Sequence, residues 1–137
     1  FLVAGHPGST PRPVGKVASG GELSRISLAI QTITSQVAQV PTLIFDEVDA
    51  GIGGRVAEIV GKLLRDLGKK HQVMCITHLP QVAAPADAHY VVTKQVKDGR
   101  TISEIELLDK KSRVTELARM LGGQSEAARK HAEALVR

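Results

Sequence analysis

Two adjacent acids, Asp46 and Glu47, and a third, Asp49, follow directly on an apolar run in the segment Pro41-Thr-Leu-Ile-Phe-Asp-Glu-Val-Asp-Ala-Gly51. An apolar run of this length predicts a strand buried on both faces, and open α/β sheets place their ligands at the carboxyl ends of such strands. Side chains alternate along a strand, so Asp46 and Glu47 are expected to point opposite ways. One carboxylate can then hold a metal while its neighbour polarises a water, the division of labour that phosphate hydrolysis requires. Asp46 is expected to be the magnesium residue and Glu47 the base. The alternative for the same residues is a strand that ends in solvated acids.

Two further groups carry chemistry. Ser19-Gly-Gly-Glu22 stands just before a stretch with apolar residues at Leu23, Ile26, Ile30, Ile33 and Val37, which predicts a helix over residues 21–40 that stops before Pro41. The free N–H groups of a helix start attract anions, and glycines let a phosphate approach closely. The same residues also read as a cap with a favourable first-turn acid, and the motif alone leaves both readings open. The third group is Thr77-His78, after a second apolar run at residues 72–76.

The elements that must position these residues follow from the pattern. Between the two apolar runs, Gly51-Ile-Gly-Gly54 turns into a predicted helix over residues 55–67, with Val56, Ile59, Val60, Leu63, Leu64 and Leu67 along one face. Strand, helix and strand make a βαβ unit, so the two strands are expected to be parallel, with both following loops at one sheet edge. His78 is then expected near Asp46 and Glu47. Lys69-Lys-His71 closes the helix and reads as a complement to its dipole.

Beyond Pro80, residues 82–85 predict one helical turn. Residues 88–96 and 101–108 predict strands of a hairpin around Lys97-Asp-Gly-Arg100, expected to extend a sheet edge. A helix is expected over residues 112–121, stopped by Gly122-Gly123, and a weakly held helix over residues 124–137. Phe1-Leu-Val-Ala4 predicts a short strand, and the Gly- and Pro-rich residues 5–13 a loop.

At 137 residues and 42% hydrophobic content, the chain is expected to form one folded domain. It has one tyrosine, two phenylalanines and no tryptophan, so its core must be aliphatic, which suits α/β layers. No apolar run approaches the roughly 20 residues of a membrane helix, and no membrane partner is expected. The lone Cys75 is expected to be a buried thiol of a reducing cytosol, and the histidines show no zinc spacing. The net charge of +4 is dispersed, which permits nucleic acid as a partner without indicating it. The first residue is Phe1 rather than Met, which suggests a piece of something longer.

The three groups stand in the order and spacing of the second half of an ABC-type ATPase head, resembling the signature loop (residues 17–25), the Walker B strand with its D-loop (residues 42–51) and the switch histidine (residues 76–80). Within that superfamily, Val17-Ala-Ser-Gly-Gly-Glu-Leu-Ser-Arg25, Phe45-Asp-Glu-Val-Asp-Ala-Gly-Ile-Gly-Gly54 and Ile76-Thr-His-Leu-Pro-Gln-Val-Ala83 resemble the RecN family of bacterial SMC-like DNA repair proteins. The resemblance covers nearly the whole chain. It implies an α/β fold with a parallel-sheet core, the carboxyl-terminal lobe of a head whose amino-terminal P-loop lobe and coiled coil lie elsewhere. No Gly-x-x-x-x-Gly-Lys-Ser/Thr occurs in this sequence, nor a heptad stretch of several repeats.

The resemblance also implies residue roles. Ser19, Gly20 and Gly21, with Glu22 completing the signature loop, would grip the γ-phosphate of ATP held by a second head. Asp46 would hold Mg2+ through water, Glu47 would activate the attacking water, His78 would sense the γ-phosphate, and Asp49 would lie at the dimer interface. The partners implied are the amino-terminal lobe, a second head in a homodimer, and DNA. The process is double-strand break repair and recombination in the bacterial cytoplasm, at the nucleoid. The chain alone, lacking the P-loop, is expected to be inactive. Two competing readings are a transporter-type ATPase, which usually carries proline and threonine where this chain has Val48-Asp49, and a non-catalytic module that binds DNA or a partner.

Overall fold

The computed structural model describes residues 2–4, 7–16, 20–34, 40–123 and 125–136. The chain divides into two compact units, Phe1–Thr77 and His78–Arg137.

In the first unit, β1 (Leu2–Val3) pairs antiparallel with β2 (Arg12–Pro13), and a single 3-10 turn, Val14–Lys16, follows. Helix α1 spans Gly20–Thr34, β3 Thr42–Phe45, α2 Gly54–Gly68 and β4 Gln72–Cys75. The expected βαβ unit is present. β3 and β4 are parallel, with Leu43 opposite Val73 and Phe45 opposite Cys75. The ladder continues past the strand ends, where the Ile76 amide donates to the Phe45 carbonyl at 2.9 Å.

The sheet is less covered than expected. Leu43 and Phe45 are buried, at 8% and 4% exposure, but Ile44 is 67% and Met74 54% exposed. One face is covered and the other is open, because α2 packs against β4 on one side and among the described residues nothing covers Ile44 and Met74. α2 shows the same division. Ala57, Val60, Gly61, Leu64 and Leu67 are buried, while Val56 and Ile59 of the expected apolar face are about half exposed.

α1 also turns a face inward other than the one its apolar spacing suggests. Gly21 and Leu28 are buried, whereas Ile33 is 80% exposed and Leu23 is exposed. The expected residue Val37 lies outside the described residues, as does Ser19. At the far end of α2, Lys69 pairs with Asp66 at 2.6 Å, which holds the Asp66 carboxyl below its usual range. Nδ1 of His71 donates to the Val40 carbonyl at 2.7 Å.

The second unit holds α3 (Pro80–Ala83), the hairpin β5 (Tyr90–Lys97) and β6 (Arg100–Leu107), α4 (Lys110–Met120) and α5 (Glu126–Leu135). The hairpin turns on Asp98 (φ 52°) and Gly99 (φ 72°), two left-handed residues whose twist matches that of the strands. It forms a two-stranded sheet of its own instead of extending the parallel sheet. Asp109 caps α4 by accepting from the Ser112 amide at 2.7 Å, and the Ser125 hydroxyl accepts from the Ala128 amide at 3.2 Å to cap α5.

The last helix is better held than its composition suggests. Ala132 is fully buried in a cluster with Ala83, Ala84, Leu117 and Ala118, and Ala128, Leu135 and Val136 pack around it. Alanines lose little side-chain entropy on burial and let helix backbones approach closely. Arg113 closes the end of α3, its Nη2 donating to the carbonyls of Ala84 at 2.8 Å and of Ala86.

Candidate functional site

The parallel ladder brings the loops after β3 and β4 to one edge of the sheet, and the acidic residues sit there. Asp46 and Glu47 are exposed, and Oδ1 of Asp46 accepts the Glu47 amide at 2.9 Å. That bond folds the chain back. Glu47 has φ 57°, a left-handed conformation uncommon outside glycine, asparagine and aspartate. Outliers of this kind persist only where the surroundings over-determine them.

The surroundings supply the determinants. The Glu47 carbonyl accepts from the Ala50 amide at 3.1 Å, the Asp49 carbonyl from the Ile52 amide at 3.3 Å, and Gly51 follows at φ 71°. Val48 is fully buried. Asp49 is 3% exposed, and its Oδ2 accepts the Thr77 hydroxyl at 2.5 Å. From α1, Nη1 of Arg25 donates to the Ala50 carbonyl at 2.7 Å and lies 3.4 Å from the Val48 carbonyl.

The glycines at the start of α1 make this approach possible. A Cβ on Gly21 would stand 2.7 Å from the Cβ of Ala50 and 3.0 Å from the Glu47 carbonyl. A Cβ on Gly20 would collide with Oε2 of Glu47. The carboxylate of Glu47 therefore lies against the first turn of α1, where free N–H groups and the helix dipole favour negative charge.

Of the residues singled out in the sequence, Gly20, Gly21, Asp46, Glu47 and Asp49 are brought together in the first unit. Glu22 is exposed in the first turn of α1. His78 follows Thr77 directly in the chain and is exposed, but it opens the second unit. Two residues given no role from sequence, Arg25 and Thr77, make the side-chain bonds that organise the turn. The signal for Arg25 was present: intervals of four and three place Gly21, Arg25 and Leu28 on one helix stripe.

Cys75, at the end of β4, is partly buried. Burial, then the charges of Asp49 and Asp46, push its thiol up to about 12. Among the described residues, no three of His, Cys, Asp and Glu cluster as a metal cage. An exposed carboxylate at a strand end, such as Asp46, has the chemistry of a ligand for Mg2+, which takes one or two carboxylates and keeps several waters.

No family model matches the chain. The DNA repair protein RecN of Xylella fastidiosa strain Temecula1 is 57% identical over 134 residues, covering 98% of this chain and 24% of that protein. RecN of Vibrio cholerae serotype O1 is 57% identical over 123 residues, covering 90% and 22%. The chain thus spans about a quarter of the length of these relatives. Among solved structures, an SMC ATPase described for its ATP-driven dimerization and DNA-stimulated activation matches 90% of this chain and 81% of its own, with a TM-score of 0.56 at 21% identity. The SMC head domain from Thermotoga maritima matches 75% of this chain and 37% of its own, with a TM-score of 0.51 at 29% identity. The fold is that of an α/β SMC-type ATPase head, and nearly the whole chain matches one stretch of the DNA repair protein RecN from several bacteria.

Proposed function

We propose that this chain is the carboxyl-terminal lobe of an SMC-like ATPase head, hydrolysing ATP between two engaged heads in DNA double-strand break repair and recombination. The observation that carries the reading is the turn after β3: an acid pair at the ligand edge of a parallel sheet, with Glu47 in a left-handed conformation beside the glycine start of a helix. A bland strand end has no use for that strain.

In this reading Asp46 holds Mg2+ through water, and the ion supplies neutralisation of phosphate charge when bound. Glu47 takes the proton of the attacking water on its carboxylate, and His78 contacts the terminal phosphate. Ser19, Gly20 and Gly21, followed by Glu22, present the helix start to ATP on the second head. The inward Asp49 contributes to the head interface through the shape of its turn rather than by direct contact of its carboxylate. The open face of Ile44 and Met74 is a surface for the amino-terminal lobe, which supplies the phosphate cradle. By this account the chain alone is inactive, and the intact protein acts on DNA in the bacterial cytoplasm, at the nucleoid.

Among the described residues, no helix is long and apolar enough to cross a membrane. The test is magnesium-dependent ATP hydrolysis by the full-length protein, lost on Glu47→Gln. Parent activity in that variant overturns the assignment. For the helix start, Ser19→Arg should leave nucleotide binding intact and abolish ATP-driven association in light scattering.

A further inference from the structure

We infer that Arg25 is a positioning residue for hydrolysis, fastening the turn that carries Glu47 to the first turns of α1. The inference rests on the ATPase reading above. Arg25 is half-buried on the stripe that includes Gly21 and Leu28, with its guanidinium turned into the protein. Nη1 reaches two carbonyls of the turn, those of Ala50 at 2.7 Å and Val48 at 3.4 Å, and a Cβ on Gly21 would stand 3.2 Å from the same nitrogen.

The geometry gives this clamp a direction of action. The bonds end on the residues just after Glu47, and the Glu47 carbonyl is itself tied to the Ala50 amide at 3.1 Å. Holding Ala50 by both its N–H and its carbonyl restrains the backbone on which the left-handed Glu47 stands. The same arginine belongs to the helix whose first residue, Gly20, meets the Glu47 carboxylate. A shift of the α1 start is therefore felt at Glu47 by two routes, contact at the carboxylate and traction through Arg25. A charge-assisted bond to a carbonyl suits this task, because it is short and stronger than a neutral bond. The Arg25 bonds to Val48 and Ala50 end on backbone carbonyls, so it acts through Glu47 and leaves the metal side at Asp46 alone.

The test uses the full-length protein with two variants. Arg25→Met keeps an apolar stem and loses every donor; Arg25→Lys keeps a cation with N–H donors. Four quantities are measured: single-turnover hydrolysis, KM, magnesium-ATP affinity by titration, and amide hydrogen exchange of residues 47–52 without nucleotide. Misplacing a catalytic group slightly can cost about 10²-fold, so Arg25→Met should lose about 10- to 100-fold in turnover. KM and affinity should stay within about twofold while exchange at 47–52 rises, and Arg25→Lys should recover part of both losses. Parent-like turnover and exchange in Arg25→Met overturn the proposal, and so does a loss of nucleotide affinity as large as the loss of turnover. If the parent protein itself fails to hydrolyse ATP, the ATPase reading falls. The exchange contrast still decides whether Arg25 fastens the turn.

Discussion

The hydroxyl of Thr77 donates to Oδ2 of Asp49 across 2.5 Å, joining the segment after β4 to the turn after β3. Two loops that the parallel ladder only brings close are thereby made into one body, and the acceptor is a buried carboxylate. Thr77→Val keeps the shape and removes the donor. It should cost about 1–3 kcal/mol of local stability. Hydrogen exchange at residues 47–52 and 75–77 reads this, and Thr77→Ser should retain protection. Unchanged exchange in the valine variant would show that the bond adds nothing.

Glu47→Gln and Asp46→Asn should give separable defects. The first keeps shape and hydrogen bonding but loses the basic oxygen, so nucleotide should bind while single-turnover hydrolysis falls by roughly 10²–10⁴-fold. The second removes charge from the metal side and should also weaken magnesium-dependent nucleotide binding. A titration of both variants at several magnesium concentrations distinguishes them, and equal binding defects would contradict the division of roles.

Gly20→Ala and Gly21→Ala should differ as well. At Gly20 the added methyl meets the mobile end of Glu47, so hydrolysis should suffer while the fold holds. At Gly21 it meets Ala50 and backbone, and overpacking of this kind typically costs about 1–3 kcal/mol. Urea unfolding followed by circular dichroism should show a loss for Gly21→Ala and little change for Gly20→Ala.

Cys75 gives a prediction in pH. Its thiol is raised in the folded protein, so between the unfolded value, about 8.5, and about 12 the folded state holds the proton and the unfolded state does not. Its contribution to stability is fully present below pH of about 8.5 and is lost as pH rises towards 12. Alkylation of the native protein by iodoacetamide at pH 8 should therefore be at least about 100-fold slower than in denaturant. Asp49→Asn removes one of the charges that raise the thiol and should speed it. A native rate near the denatured one would refute the assignment.

The βαβ unit, the hairpin and the acid pair were legible because each rests on local pattern: periodicity between the strands, Asp98-Gly99 between two β-rich runs, and acids after an apolar run. Leu43-Ile-Phe45 could not reveal that only one sheet face is covered, since an unbroken apolar run reports the character of both faces but not what packs on them. α1 turns a face inward other than its apolar one for a related reason. Its apolar spacing favoured Leu23 and Ile33, but a face carrying two backbone-close residues, Gly21 and Arg25, made the contacts. The docking of α5 through alanines was missed because small residues score weakly in any apolar pattern. The left-handed Glu47 had no apolar-pattern signal, because it is held by bonds within residues 46–52 together with contacts from Thr77 and from α1, about 25 positions away.

A sheet of two parallel strands has two edges and little width, and its open face carries Ile44, Met74 and the nearby Ile76, each more than half exposed. Unpaired strand edges beside apolar side chains are templates for association with other chains. Colloidal behaviour, rather than unfolding, should thus limit the handling of this chain: it should self-associate through native-like molecules, with the net charge of +4 as its main protection, and salt that screens this charge should promote clumping.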